Sequence, residues 1–105
     1  MPTVPWSLWF FERTDSHGQA SVPGVLFLES CPDRVVQKFD AILHSVIEAP
    51  PPAFAGGGQW EAMHGQMKGI YEARAKGPDA RFYRLFCLLE RELPGHPGPG
   101  LVVLT

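Results

Sequence analysis

MKGIYEARAKGPDARFYRLFCLLE, running from Met67 to Glu90, decides the fold class of this chain. Over Met67–Ala75, Ile70, Glu72 and Arg74 alternate with Tyr71 and Ala73, the period of a strand with one polar face. Lys76-Gly77-Pro78-Asp79 is turn chemistry: a flexible residue, a residue with preset φ and a side chain able to bond its own backbone. Arg81–Glu90 then reads as a second, mostly buried strand, so the stretch predicts a β-hairpin. Downstream, Glu92–Gly100 is a Pro/Gly-rich loop and Leu101–Thr105 (LVVLT) a short apolar strand, which makes a three-stranded meander.

Upstream lies a helix. Val35, Phe39, Ile42, Leu43, Val46 and Ile47 recur at helical spacing, with polar residues mostly elsewhere. Ser30-Cys31-Pro32-Asp33 supplies the start: Ser30 as cap, Pro32 in the first turn and Asp33 at the positive end of the dipole. Pro50-Pro51-Pro52 ends the helix. Val22–Glu29 fits a short helix or an extended segment. Trp6–Arg13 reads as an aromatic strand, 15–21 as a polar loop and 59–66 as a helical turn. The expected fold is α+β: an N-terminal strand, one or two helices and a C-terminal meander, forming an antiparallel or mixed sheet covered by helices. With 105 residues and 45% hydrophobic composition, one domain with a real core is expected. The Pro- and Gly-rich stretch 50–58 is read as a loop within it.

Charge narrows the function classes. A formal net charge of −2 excludes a strongly basic, non-specific nucleic-acid binder. Residues 60–91 nevertheless hold six Lys/Arg against four Asp/Glu, a local basic excess on the hairpin. No apolar run reaches the roughly 18–20 residues of a membrane span, and MPTVPWSLWFFER lacks the basic start of a signal peptide. Cys31 and Cys87, alone in apolar surroundings, read as reduced core thiols of a cytoplasmic protein. His17, His44, His64 and His96 have no metal-ligand spacing, and Gly56-Gly57-Gly58 lacks the Lys-Ser/Thr of a phosphate loop, so no metal or cofactor is expected. The remaining cluster is Glu72, Arg74, Arg81, Tyr83 and Arg84. If Arg84 faces the same way as Arg74, two guanidiniums and a carboxylate converge, a geometry suited to phosphate. The simpler alternative is a cross-strand ion pair with no further role.

The order Trp60, Met63-His64-Gly65, Met67, Gly69-Ile70-Tyr71-Glu72-Ala73-Arg74, then Phe82-Tyr83-Arg84-Leu85-Phe86, then Leu101-Val102-Val103-Leu104 resembles the phage-derived HigB-like branch of the RelE/ParE toxin superfamily. The resemblance spans roughly residues 6–105, with its informative part in 60–104. It implies a toxin of a type II toxin–antitoxin module, a metal-independent endoribonuclease that cleaves mRNA on the ribosome. Its partners would be the ribosome, mRNA and a cognate antitoxin, expected to be a helix-turn-helix protein. Arg84 then matches the arginine that contacts the scissile phosphate, and Arg74 a structural or phosphate-binding arginine. His64 is the candidate acid or base near neutral pH. Lys68, Arg81 and Tyr83 are the candidate RNA contacts. Ile70 and Glu72 stand where lysine-rich relatives carry lysines, so that version of the mechanism is not expected here. Relatives also continue past the last strand into a basic helix. A chain ending at Thr105 thus implies an alternative, a toxin-like module that binds an antitoxin or other protein without cleaving RNA. A gyrase inhibitor of the ParE type is the third expectation.

Overall fold

The computed structural model describes residues 6–50, 56–96 and 98–105. Its elements are β1 (Ser7–Phe10), β2 (Arg13–Thr14), β3 (Ala20–Ser21), α1 (Pro23–Ser30), α2 (Asp33–Glu48), β4 (Trp60–Ala62), β5 (Ile70–Lys76), β6 (Phe82–Glu90) and β7 (Gly100–Val103). Short 3-10 turns lie at Gly56–Gly58 and Gly65–Met67. Five strands form one sheet in the order β1-β7-β6-β5-β4. β1 runs parallel to β7, and the other neighbours are antiparallel. The fold is α+β, with two helices packed on a mixed sheet. The parallel pair needs a long crossover, and α1, α2 and the hairpin strands supply it.

The α2 stripe builds the core. Val35, Phe39, Ile42, Leu43 and Val46 are buried, and Ala73, Ala75, Leu85, Cys87, Leu101 and Val103 meet them from one face of the sheet. On β5 and β6 the odd-numbered residues face the helices and the even-numbered ones face away, the alternation the sequence shows. Both cysteines are buried free thiols.

Several expectations shift at their edges. The aromatic strand breaks after Phe10, and Arg13–Thr14 pairs with Ala20–Ser21 instead. The 15–21 loop is therefore largely a small hairpin. Asp15 closes it by accepting the His17 and Gln19 amides at 2.8 and 2.9 Å. Val22–Glu29 resolves as helix, with Pro23 in its first turn. Ser30 does not cap α2: its hydroxyl donates to the Phe27 carbonyl at 2.6 Å, within the last turn of α1. The turn expected over 59–66 is the edge strand β4 followed by the Gly65–Met67 turn. Its anchor is the buried Trp60, stacked on Tyr71 at 5.2 Å. β5 starts at Ile70 rather than Met67, because Gly69 (φ 101) turns the chain before it. Arg81 lies outside β6. Of the Pro50–Gly58 loop, 51–55 fall outside the described residues.

Gly24 sets the approach of α1 to the sheet. A Cβ there would stand 2.8 Å from Val103 Cγ1 and 3.2 Å from a Phe10 ring carbon. Alanine gains at most about 1 kcal/mol in helix propensity. Overpacking against a buried β-branched residue costs about 1–3 kcal/mol. Gly24→Ala is thus predicted to lower stability, moving the urea midpoint down with an unchanged m-value.

Candidate functional site

The sheet face turned away from the helices carries an alternating ladder of charge. In the β5–β6 register Arg74 lies directly opposite Arg84, and in the β4–β5 register Glu61 lies opposite Glu72. Either pair alone sets like charges against each other, which destabilises a sheet. Contacts along β5 and diagonally across the strands relieve both. Arg74 Nε donates to Glu72 Oε1 at 3.1 Å, and Arg74 Nη2 is 3.4 Å from Glu61 Oε2. Arg84 Nε stands 3.6 Å from the same Glu72 Oε1. Glu72 is the buried member, and its carboxylate is shared by both arginines. Arg84 does face the same way as Arg74, so the two guanidiniums and the carboxylate converge, and the structural role is present too: one carboxylate pairs with both guanidiniums.

The two arginines differ in what they have left to offer. Arg74, 29% exposed, is held between two carboxylates and lies 5.9 Å from the centre of the Phe82 ring. Arg84, 54% exposed, has a single longer contact through Nε. Its Nη groups have no hydrogen-bond partner among the described residues. Arg84 therefore presents the planar donor edge that suits a phosphate.

The other expected site residues lie elsewhere. Arg81 and Tyr83 do not join the ladder. Arg81 Nε pairs with Asp79 at 3.1 Å, and the Tyr83 hydroxyl donates to Asp79 at 3.4 Å. Tyr83 packs on the helix side of the sheet. Burial and Asp79 raise its pKa, so it stays a neutral phenol at physiological pH. His64 and Lys68 are exposed and flank the Gly65–Met67 turn, at the opposite end of β5. Ile70 alone is four strand residues from Arg74, about 13 Å of rise. Among the described residues no group of three or more His, Cys, Asp or Glu is placed to hold a metal ion. Glu61 joins the ladder because 59–66 holds the strand β4 and not a helical turn; the in–out pattern of Trp60 and Glu61 is the signal for it in the sequence.

Burial pushes the Cys87 thiol up to about 12 and also raises Cys31. A thiol so held is not a nucleophile at neutral pH. No helix among the described residues is long and apolar enough to cross a membrane. No family model, curated protein or solved structure matches the chain.

The ladder predicts a ranking. Glu72→Gln leaves two arginines face to face and is expected to cost about 1–3 kcal/mol by urea unfolding. Arg84→Ala, at a half-exposed site, is expected to cost under about 1 kcal/mol. For Cys87, the unfolded thiol ionises near 9 and the folded one near 12. Stability is thus complete below pH 9 and falls as pH rises through that window. Cys87 is expected to resist alkylation at pH 8 in the folded chain and to react on unfolding, as mass spectrometry after a Cys31→Ser background change would show.

Proposed function

We propose that this chain is a toxin of a type II toxin–antitoxin module that cleaves mRNA on the ribosome and is neutralised by a helix-turn-helix antitoxin. The observation that carries the reading is Arg84, half exposed, with its terminal nitrogens unengaged among the described residues. In this reading a ribose 2′-oxygen attacks the adjacent phosphorus and the bond to the 5′-oxygen breaks. A cyclic phosphate results, and the departing 5′-oxygen takes a proton from water to leave as a free 5′-hydroxyl. Arg84 stabilises the negative charge that grows on the phosphoryl oxygens. Arg74 acts by positioning: it holds Glu72, which in turn fixes Arg84. His64 and Lys68 contact the RNA strand further along β5 rather than at the same phosphate. Glu61, 56% exposed, is the carboxylate of the ladder open enough to take the 2′ proton.

A second reading has its own observation. The ladder is neutral, two arginines against two carboxylates, and a neutral patch gives little attraction for a polyanion. That favours a toxin-like module that binds an antitoxin or another protein without cleaving RNA.

Induction of the chain in a bacterial host separates the two. Growth arrest with falling protein synthesis, relieved by Arg84→Ala in a protein that stays folded, is the expected result. Undiminished toxicity of a folded Arg84→Ala chain would overturn the assignment of Arg84. No arrest by folded wild-type protein would leave the binding module. Arrest with translation intact and supercoiling lost would mark a gyrase inhibitor.

A further inference from the structure

Beside the neutral ladder lies a cavity with unbalanced charge. Lys38 on α2 donates from Nζ to the Lys76 carbonyl at 2.7 Å, which pins its ammonium over the end of β5. Two of its N–H groups remain for a ligand. Lys76 follows Arg74 on the same face of β5, and its register partner on β6 is Phe82. A cavity of about 330 Å³ at this end of β5 is lined by Lys38, Arg74, Lys76 and Phe82 together with the Gly57–Gly58 turn. The turn contributes backbone alone: both glycines have positive φ (50 and 87), and among the described residues nothing lies within 4 Å of where a Cβ would stand.

Arg74 is matched by Glu61 and Glu72, but neither Lys38 nor Lys76 has a carboxylate within 4.0 Å among the described residues. Among the described residues no carboxylate lines the cavity. Its volume is about ten times the ~30 Å³ share of a water molecule, room for a phosphate and its sugar. Phe82 stands at the rim and is 56% exposed. Large apolar rings are usually buried, and an exposed one beside a cationic hollow is the arrangement on which nucleobases stack. A further hollow of about 180 Å³ shares Lys38 with the first and runs along α2 to Ser45.

We propose that this cavity is a nucleotide phosphate site, in which Lys38 and Lys76 hold the phosphate and the base lies on Phe82. For the source of that nucleotide, single-stranded RNA whose neighbouring phosphate reaches Arg84, the inference rests on the reading above; a free mononucleotide carries the same chemistry.

The test is fluorescence anisotropy of a labelled short oligouridine across a salt series, with AMP followed separately by amide chemical shifts. The variants are Lys38→Met, Lys76→Gln, Phe82→Leu and Arg84→Ala, each checked for fold by circular dichroism. Lys76→Gln keeps the carbonyl that Lys38 uses, so it removes charge without removing that bond. Each lysine variant is expected to weaken RNA binding about threefold to tenfold and to reduce the salt slope by about 1. Phe82→Leu is expected to weaken it about fivefold or more with the slope unchanged. Binding of AMP alone, lost in the same variants, upholds the site and removes RNA as its source. RNA binding that depends on Arg84 but not on Lys38, Lys76 or Phe82 overturns this inference and leaves the proposed function standing. Absence of binding to either ligand by folded wild-type protein overturns it as well.

Discussion

One carboxylate holds the hairpin register that the rest of the molecule is built on. Register puts Arg74 and Arg84 directly across from each other, and Glu72 takes a contact from each. A one-residue slip would turn Ala73, Ala75, Leu85 and Cys87 out of the core and carry the charges in. Burial on one face and the shared carboxylate on the other thus favour the same pairing. α2 then docks on the apolar face, β7 extends it, and β1 closes the edge beside β7.

The same carboxylate limits what the face can do. A strand face with two arginines invites a phosphate reading, yet Glu61 and Glu72 cancel the charge. The surplus lies one step along β5, where Lys76 meets Lys38 from α2. Lys38 and Lys76, which have no carboxylate within 4.0 Å among the described residues, thus lie at the turn end of the hairpin, and Arg84 borders that region through Arg74 and Phe82. A chain of net charge −2 presents a small cationic surface in this way without being basic as a whole.

Legibility in the sequence followed the range of the interaction. The α2 stripe and the β5–β6 hairpin were readable, because periodicity and turn chemistry are local. So was the shared face of Glu72 and Arg74, and the convergence with Arg84 followed once register was known. β4 was missed: three residues carry too little periodicity, and Trp60 is ordered by stacking on Tyr71 across the sheet. The two-residue strands of the β2–β3 hairpin were missed for the same reason. Parallel pairing of Ser7 with Gly100 spans nearly the whole chain and leaves no local signal. Lys38 joined Lys76 only when α2 packed on β5. Arg81 and Tyr83 stand beside Arg84 in sequence but strand alternation keeps them off its face, and the length of β5 separates His64 and Lys68 from it.

The proposed role of Arg84 is action on an RNA phosphate at the ribosome. The most direct test is primer extension on mRNA bound to purified ribosomes after incubation with the folded chain. Breaks are expected within the ribosome-held codon, with cyclic phosphate ends, absent without ribosomes and absent with Arg84→Ala. Intact mRNA under those conditions, or breaks that persist in the Arg84→Ala chain, would contradict it.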